Sequence, residues 1–324
     1  MGSVTRPSSV PPPVTAVLDA SSRWLPERLG EVERLLREAA SGYGETLGAD
    51  AGATLDAGGK RLRPMLVLLC AGPAGNPSAV HAAAAIELVH MATLVHDDVL
   101  DAAPLRRGLP TAAATSGRAR AVATGDLLFS RAFALLSEAG DARSVSLLAD
   151  ASVALAQGEL AQRRDAFDLD VSEERYLARC RLKTARLFEC ACLLGRDSEA
   201  LRSFGAGIGL AFQLLDDVLD VSGPPERTGK ARGTDLLDGT VTLPLIEAAK
   251  SDPAIREVDL RALDARGAEQ LCDRIAATGA LERVRARALE MVAEAKRALE
   301  HADFEPEQRR LLSLVADGVV QRYS

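Results

Sequence analysis

Aromatic side chains are scarce in this chain of 324 residues: they make up 3% of the sequence, whereas hydrophobic residues make up 47%. A core must therefore be packed mainly from Ala, Leu and Val. Cysteines are also few and form no CxxC pair; they are Cys70, Cys180, Cys190, Cys192 and Cys272. An odd number of thiols is typical of a reducing compartment. We therefore expect a cytoplasmic protein with its thiols buried in the core.

The sequence also lacks an excess of basic residues, and its formal net charge is -7. This charge argues against nucleic-acid binding, so local basic clusters are better explained by small anions. A membrane-spanning helix needs roughly 20 uninterrupted apolar residues. Two glycines and two prolines break the longest uncharged run, 64–86. We therefore expect no membrane span and at most peripheral membrane contact.

The N-terminus lacks the pattern of a secretory signal, and residues 1–15 are rich in Ser, Thr, Val and Pro. This composition predicts a disordered, proline-rich lead over residues 1–20. No linker divides the remainder, so we expect one domain over residues 21–324.

No segment alternates polar and apolar residues long enough to predict a strand, whereas Ala, Leu, Glu and Arg dominate. This pattern predicts an all-α protein. One expected helix covers 79–103, which contains no helix breaker and is followed by Pro104; the others are expected at 117–140, 145–165, 173–194, 199–221, 243–250, 268–277, 282–301 and 307–322. The stretch 222–238, rich in Gly, Pro and charge, is instead expected to be a loop.

One acidic phrase, DDVLD, occurs twice, beginning at Asp97 and at Asp216. On a helix Asp97 and Asp101 share a face, while Asp98 lies roughly 100° around the axis. Leu and Val flank both copies, and carboxylates among apolar neighbours are costly unless something binds them. A solvated acidic patch paired with arginines is the alternative for either copy alone, but the repetition favours a cation site.

Carboxylate oxygens suit Mg²⁺, which typically bridges protein side chains to substrate phosphates. Two acidic clusters therefore predict two metal-binding sites on either side of one bound diphosphate. Other segments of the sequence carry polar and basic groups: Lys60, Arg61, Arg63, Arg106, Arg107, Lys183, Thr184, Gln213 and Lys230. Such groups imply two anions, one held through metal ions and one held directly by Arg and Lys.

The motifs resemble those of the trans-isoprenyl diphosphate synthases, the polyprenyl synthetase family, over nearly the whole chain. The matching segments are GGKRLRP at 58–64, ELVHMATLVHDDVLD at 87–101, RRGLPT at 106–111, GDLLFSRAF at 125–133, KTARLF at 183–188, FQLLDDVLD at 212–220, GKARGTDL at 229–236 and TLPLI at 242–246. The resemblance implies one bundle of antiparallel helices around a deep central cavity, the isoprenoid synthase type I fold. It also implies a homodimer.

The resemblance further implies a role for each matching residue. The metal motifs are Asp97, Asp98 and Asp101, and Asp216, Asp217 and Asp220, with three Mg²⁺ ions per active site. The allylic diphosphate is held by Arg106, Lys183, Thr184, Gln213 and Lys230. The isopentenyl diphosphate is held by Gly59, Lys60, Arg63, His90 and Arg107, and Arg322 closes over it. Thr240 stands where many relatives have Lys, which puts one diphosphate contact in doubt.

The implied reaction is head-to-tail condensation of isopentenyl diphosphate with an allylic diphosphate, through an allylic carbocation. The acid motifs, Arg106, Lys183 and Lys230 are expected to act on the leaving diphosphate. We expect His96, beside the first acids, to pack or hydrogen-bond rather than to serve as a base. Two alternatives stay open: a class I terpene cyclase, which does not need the second anion site, and a non-catalytic subunit of a heteromeric synthase.

Product length depends on the floor of the cavity. Each helical turn below Asp97 is about 5.4 Å deeper, and the residues there, Thr93, Val89 and Ile86, are not aromatic. In the family, short-chain members place an aromatic residue where this chain has Thr93 and Ala92. We therefore expect a long-chain product of about thirty to fifty carbons, one unit per turn. Geranylgeranyl diphosphate is the alternative if another helix supplies a floor, for example at Phe129 or Phe133.

Overall fold

Helices form the first half of the chain in the computed structural model, which describes residues 12–21, 24–76, 78–106, 108–223, 232–300 and 302–321. In this half they are α1 (Pro12–Ala20), α2 (Trp24–Ala40), α3 (Gly44–Asp56), α4 (Leu62–Ala71), α5 (Ser78–Leu100), α6 (Ala112–Ser116), α7 (Arg118–Glu138) and α8 (Ala142–Arg164). A two-stranded antiparallel ladder, β1 (Leu105–Arg106) and β2 (Leu109–Pro110), follows α5. The sequence pattern did not predict this ladder.

The second half is also helical. It contains α9 (Glu173–Cys180), a π-helical turn (Arg181–Ala185), α10 (Arg186–Gly195), α11 (Glu199–Ser222), α12 (Thr234–Leu237), α13 (Leu243–Ser251), two 3₁₀ turns (Pro253–Glu257 and Leu260–Ala262), α14 (Ala265–Ala277), α15 (Ala280–Glu300) and α16 (Pro306–Gln321). The all-α prediction is confirmed, and most predicted helix ends agree within a few residues. The short helix α12 lies inside the segment that was expected to be a loop.

Helix α5 is the central element of the bundle. It packs against α2, α4 and α7, and Ile86, Val89 and Ala92 are fully buried. By length and composition α5 could cross a membrane, but 72% of its most apolar window is buried inside the protein. The same composition is typical of a core helix. Its C-terminal turn carries the first acidic motif, so core packing fixes the position of those carboxylates.

The prediction of a disordered lead is wrong for residues 12–20, which form α1. Two prolines stand in the first turn, where helical N–H groups have no intrahelical partner, so they do not interrupt the helix. Val17 is 1% exposed, and the Arg310 guanidinium of α16 donates to the Ala20 carbonyl at 3.2 Å. Contact with the C-terminal helix therefore orders this segment. Residues 1–11 of the predicted lead lie outside the described residues.

Glycines allow α10 and α11 to pack at close range. A Cβ at Gly209 of α11 would lie 2.8 Å from the Ala185 Cα and 2.9 Å from the Phe188 Cβ. A Cβ at Gly205 would lie 2.8 Å from the Glu189 Cα. Helix α11 carries the second acidic motif, so this contact fixes that motif relative to the π-helical turn.

We expect Gly209→Ala to lower the free energy of unfolding by about 1–3 kcal/mol, because the methyl group overpacks the contact between α10 and α11. Gly52→Ala in α3 is the control, since a Cβ there would meet nothing within 4 Å. That change should raise stability by up to about 1 kcal/mol through helix propensity. Urea denaturation measures both, and equal stability of the two variants would show that the contact is looser than described.

Candidate active site

A cavity of about 330 Å³ lies between the ends of α5 and α11. The acidic residues on its wall are Asp97, Asp101, Asp216, Asp217, Asp235 and Asp238, and the basic residues are Arg63, Arg106, Arg163, Arg179 and Lys183. His90, Thr93, Thr184, Gln213 and Thr240 also line it. Both repeated motifs therefore face one cavity together with several of the predicted anion-binding residues.

The first motif divides between two faces of α5. Asp97 and Asp101 line the cavity, as their helical spacing predicts. Asp98 is 5% exposed and accepts hydrogen bonds from Arg106, with Nε at 2.8 Å and Nη2 at 2.7 Å from its Oδ1. Asp98 therefore holds Arg106 at the rim of the cavity, and its carboxylate is already neutralised by that guanidinium.

Asp97 has no comparable neutralisation. Burial raises the pKa of its carboxyl group to about 6, although Lys183 and Arg106 oppose the shift. A raised pKa means that the charged form is less stable in the fold than in the unfolded chain. At neutral pH Asp97 therefore destabilises the fold and favours the binding of a cation.

In the second motif the carboxylates have different surroundings. Asp216 lines the cavity. Asp217 is 2% exposed and accepts hydrogen bonds from the Tyr176 hydroxyl at 2.5 Å and the Gln213 amide at 2.8 Å. Burial, together with nearby Asp235, raises the pKa of Asp217. Asp220 does not line the cavity and accepts a hydrogen bond from the Asp235 backbone N–H at 3.2 Å.

The predicted Lys183 and Thr184 lie in the π-helical turn between α9 and α10. Such turns insert an extra residue into a helix and occur often at functional sites. Helix α8 approaches this turn closely, since a Cβ at Gly158 would lie 2.5 Å from the Lys183 backbone nitrogen. Thr184 donates to the Gln213 side-chain oxygen at 2.6 Å. The turn thereby connects Lys183 to the hydrogen bonds around the second motif.

Arg63 is a buried basic group of the cavity, and the negative charges of Glu87 and Asp216 act on it from a distance. Among the described residues it forms no ion pair, and its buried Nε has no hydrogen-bond partner. Its guanidinium lies over the Phe188 ring at 4.7 Å. Burial lowers the pKa of Arg63 to about 10. A buried cation in this state favours the binding of an anion.

Other predicted isopentenyl diphosphate residues are less closely associated with the cavity. Gly59 and Lys60 are exposed and line neither the acidic cavity nor the neighbouring one. Lys60 precedes Arg61, the N-cap residue of α4, whose guanidinium donates to Glu33 at 2.5 Å and to buried Glu87 at 3.0 Å. The predicted Arg107, Lys230 and Arg322 lie outside the described residues.

A second cavity of about 320 Å³ lies across α5 from the acidic one. His90 and Arg106 line both cavities, and the second has mainly apolar walls that include Met91, Leu94 and Val95. His90 and Arg106 therefore form the boundary between an acidic and an apolar space.

Several charged residues at the site were not predicted from the sequence. Arg179 is 3% exposed and donates to the Asp165 carboxylate at 3.3 Å and to the Val241 carbonyl at 2.5 Å. It therefore places a buried guanidinium beside Thr240, the residue that stands where many relatives are expected to have a diphosphate-binding Lys.

Glu159 and Arg163 were missed as well, because each looks like an ordinary surface charge of an amphipathic helix. Their signal was the i, i+4 spacing to each other.

The prediction for His96 is confirmed. Its Nε2 lies 3.3 Å from the Val122 carbonyl and 3.4 Å from Asp126. A Cβ at Gly125 would lie 2.2 Å from the same ring atom. His96 therefore packs closely against α7, away from the cavity wall.

The residues proposed to control product length have different positions. Thr93 lines the acidic cavity, and its hydroxyl donates to the His90 carbonyl at 2.8 Å. Ala92 and Val89 are fully buried in the core and do not line it. The apolar wall includes Leu155, Leu187 and Phe212, whereas Phe129 and Phe133 pair with each other at 5.4 Å and line neither cavity.

The donor set fits a hard divalent cation that supplies part of its own coordination shell. Within the described residues, no three acidic, histidine or cysteine side chains already converge on one point. Instead Asp97, Asp101 and Asp216 line the same cavity. Mg²⁺ keeps several waters and takes phosphate oxygens as further ligands, so it does not require a complete protein cage.

Comparison with known proteins defines the class of this all-α protein. Residues 45–277 match the model of the polyprenyl synthetase family. Heptaprenyl diphosphate synthase component 2 of Geobacillus stearothermophilus is 41% identical over 72% of this chain and 77% of that protein. The all-trans-nonaprenyl-diphosphate synthase (geranyl-diphosphate specific) of Rhodobacter capsulatus is 41% identical over 81% and 84%.

A solved structure extends the similarity to nearly the full length. The polyprenyl synthase of Caulobacter crescentus CB15, solved with calcium and isoprenyl diphosphate, is 36% identical with a TM-score of 0.88, covering 98% of this chain and 100% of that one. The fold is therefore the all-α isoprenoid synthase fold. The chain belongs to the polyprenyl synthetase family and is a trans-prenyltransferase by class.

Substituting the two neighbouring aspartates should have opposite effects on stability. The raised pKa of Asp97 gives a cost that is absent below about pH 4 and complete above about pH 6. At pH 7.5, without metal, Asp97→Asn should therefore raise the free energy of unfolding, by at most about 3 kcal/mol. Asp98→Asn should lower it by about 1–3 kcal/mol, because Arg106 loses a charged partner.

Urea denaturation at pH 7.5 and at pH 4.5 measures both effects. The gain from Asp97→Asn should shrink at the lower pH, where the wild-type carboxyl group is largely protonated. A loss of stability in Asp97→Asn at pH 7.5 would show that this carboxylate is neutralised in the metal-free protein.

Proposed function

We propose that this protein is a Mg²⁺-dependent synthase that condenses isopentenyl diphosphate head-to-tail onto an allylic diphosphate and releases an all-trans, long-chain polyprenyl diphosphate. The main supporting observation is the cavity that holds Asp97, Asp101 and Asp216 together with Arg63, a buried cation that forms no ion pair with any described residue. Carboxylates suit the anion that arrives with metal ions, and Arg63 suits an anion that is bound directly.

The cavity residues assist ionisation by stabilising the departing negative charge. Bound Mg²⁺ would neutralise the diphosphate leaving group as a Lewis acid. Asp97, Asp101 and Asp216 would hold the metal, while Lys183 and Arg106 would donate to phosphate oxygens. As charge develops on the leaving diphosphate, these preplaced cations stabilise it more strongly than they stabilise the substrate.

Carbon–carbon bond formation requires an apolar cavity wall that excludes water from the reacting carbons. The allylic C–O bond breaks, the double bond of isopentenyl diphosphate attacks the allylic cation, and a proton leaves the adduct. Leu155, Leu187 and Phe212 line the cavity and would shield the allylic cation from water. His96 packs against α7, so the released diphosphate is the better proton acceptor. No protein nucleophile is needed.

The test is incubation of the pure protein with farnesyl diphosphate, isopentenyl diphosphate and Mg²⁺. Chain-extended diphosphates are expected, and Asp97→Asn and Asp216→Asn should each reduce their formation by at least about 100-fold. Exposed Asp126→Asn is the control, because Asp126 does not line the cavity. A hydrocarbon or alcohol formed from the allylic substrate alone would instead identify a terpene cyclase.

A heteromeric synthase is the second candidate because one relative is a component of a heptaprenyl diphosphate synthase. The presence of both acidic motifs favours a chain that is catalytic. Whether it works alone is decided by the same assay: turnover without an added partner supports the single-chain synthase. No turnover until a second component is added supports the heteromeric synthase.

Product length is proposed from the wall below Asp97. Thr93→Phe should shorten the product to about fifteen to twenty carbons, since its ring would close the cavity one turn, about 5.4 Å, below the acid. Thr93→Val is the size-matched control and should leave product length unchanged. Ala92→Phe is expected to shorten the product too, but Ala92 is fully buried, so this variant should also lose stability.

Chromatographic sizing of the dephosphorylated products measures this effect. Initial ionisation, followed as release of inorganic diphosphate, should be preserved in Thr93→Phe. If the wild-type product already stops at fifteen carbons, the absence of an aromatic residue on α5 does not determine length. A stop at twenty carbons would favour a floor supplied by another helix.

We also propose a homodimer that uses α8. Val153 and Leu160 are 59% and 71% exposed, and their spacing of seven residues places them on one face of the helix. Exposed apolar residues on one helix face favour an interface.

Leu160→Glu should shift the protein toward monomer in light scattering after size exclusion. Leu289→Glu on α15, where Leu289 is 48% exposed, is the control. A monomeric wild-type protein would contradict the proposal.

A further inference from the structure

Four charged side chains form a continuous series of ion pairs at the cavity, here called the Asp101–Lys183 network. Arg163 Nη2 lies 2.5 Å from Asp101 Oδ1, and Arg163 Nε lies 2.8 Å from Glu159 Oε1. The other oxygen of Glu159 lies 2.5 Å from Lys183 Nζ. One arginine and one glutamate of α8 thus connect the first acidic motif to the lysine of the π-helical turn.

The network occupies the groups that metal and diphosphate would use. Arg163 forms an ion pair with the carboxylate of Asp101, where a metal cation would bind. Glu159 forms an ion pair with the ammonium group of Lys183, where a phosphate would bind. Two acids and two bases balance each other, so this state is electrically satisfied without ligand. The side chains of Arg163 and Asp101 are 43% and 38% exposed, so this ion pair can be exchanged without unfolding.

Displacement of Arg163 from Asp101 affects the ion pair of Lys183 at the other end of the Asp101–Lys183 network. When a cation displaces Arg163 from Asp101, Arg163 retains Glu159 as its remaining partner among these four residues. Glu159 is then neutralised more fully by Arg163 and attracts Lys183 less. Lys183 thereby becomes more available to phosphate. The reverse order gives the same coupling, because linkage between two binding sites is reciprocal.

We propose that Arg163 and Glu159 are positioning residues that hold Asp101 and Lys183 in an ion-paired resting state and couple metal binding at Asp101 to diphosphate binding at Lys183. This inference rests on the proposed function, since it takes Asp101 as a metal ligand and Lys183 as a diphosphate ligand. Neither Arg163 nor Glu159 is assigned to contact the substrate itself.

The test is calorimetric titration of the full-length protein with inorganic pyrophosphate, without metal and over a series of Mg²⁺ concentrations. Glu159→Gln should bind metal-free pyrophosphate about two- to fivefold more tightly than wild type, the size expected for a partly exposed ion pair. Mg²⁺ should then enhance its affinity by a correspondingly smaller factor. Arg163→Gln should lower the half-saturating Mg²⁺ concentration, because Asp101 no longer has a competing cation.

Arg164→Gln is the matched control, since it removes the same charge one residue away and Arg164 does not line the cavity. It should behave as wild type. Unchanged metal-free affinity in Glu159→Gln would overturn the proposal and leave the proposed function intact. Weaker binding of Arg163→Gln at saturating Mg²⁺ would also overturn it, because Arg163 would then contact the diphosphate directly. If the wild type fails to bind pyrophosphate with Mg²⁺, both the network and the proposed function are wrong.

Discussion

Negative charge buried in the absence of a cation is the constraint around which the site is built. Burial raises the pKa of Asp97 and of Asp217, so the fold carries an electrostatic cost at neutral pH. Neighbouring carboxylates avoid the cost differently: Asp98 pairs with Arg106 and Asp101 with Arg163. The structure thus leaves part of its acidic charge for a ligand and neutralises the rest internally.

Packing far from the carboxylates holds them in place despite their electrostatic cost. Helix α5 is buried along most of its length, so its last turn cannot move away from the cavity. Helix α11 is held by close contact with α10 at Gly205 and Gly209. A stiff bundle is required, because mobile carboxylates would turn to water and relieve the repulsion. Rigid packing therefore preorganises the site for diphosphate and metal ions.

Much of this arrangement followed from sequence patterns. The spacing of Asp97, Asp98 and Asp101 predicted which two carboxylates share a face, and the structure confirms it. Helices α5, α8 and α11 were recognised because they are long segments rich in Ala and Leu that contain no proline. The resemblance supplied the family, which the comparisons confirm.

Features that depend on contacts between distant segments were not predicted. The π-helical turn at Lys183 has no sequence signature of its own, and its close contact with Gly158 of α8 joins segments that are distant in the sequence. The helix α1 was mistaken for a disordered lead, because its stabilising contact with α16 lies almost 300 residues away in the sequence. Arg179 and Glu159 looked like surface charges, since a single sequence does not reveal which charged side chains point inward.

The central claim is that both acidic motifs hold metal ions on one diphosphate. Crystals of the protein with Mn²⁺ and an unreactive thiolo analogue of an allylic diphosphate test this directly, because anomalous scattering locates each Mn²⁺ ion. We expect metal peaks beside Asp97 and Asp101 and beside Asp216, with the diphosphate between them and Lys183. Metal at only one motif, or a diphosphate bound outside this cavity, would contradict the claim.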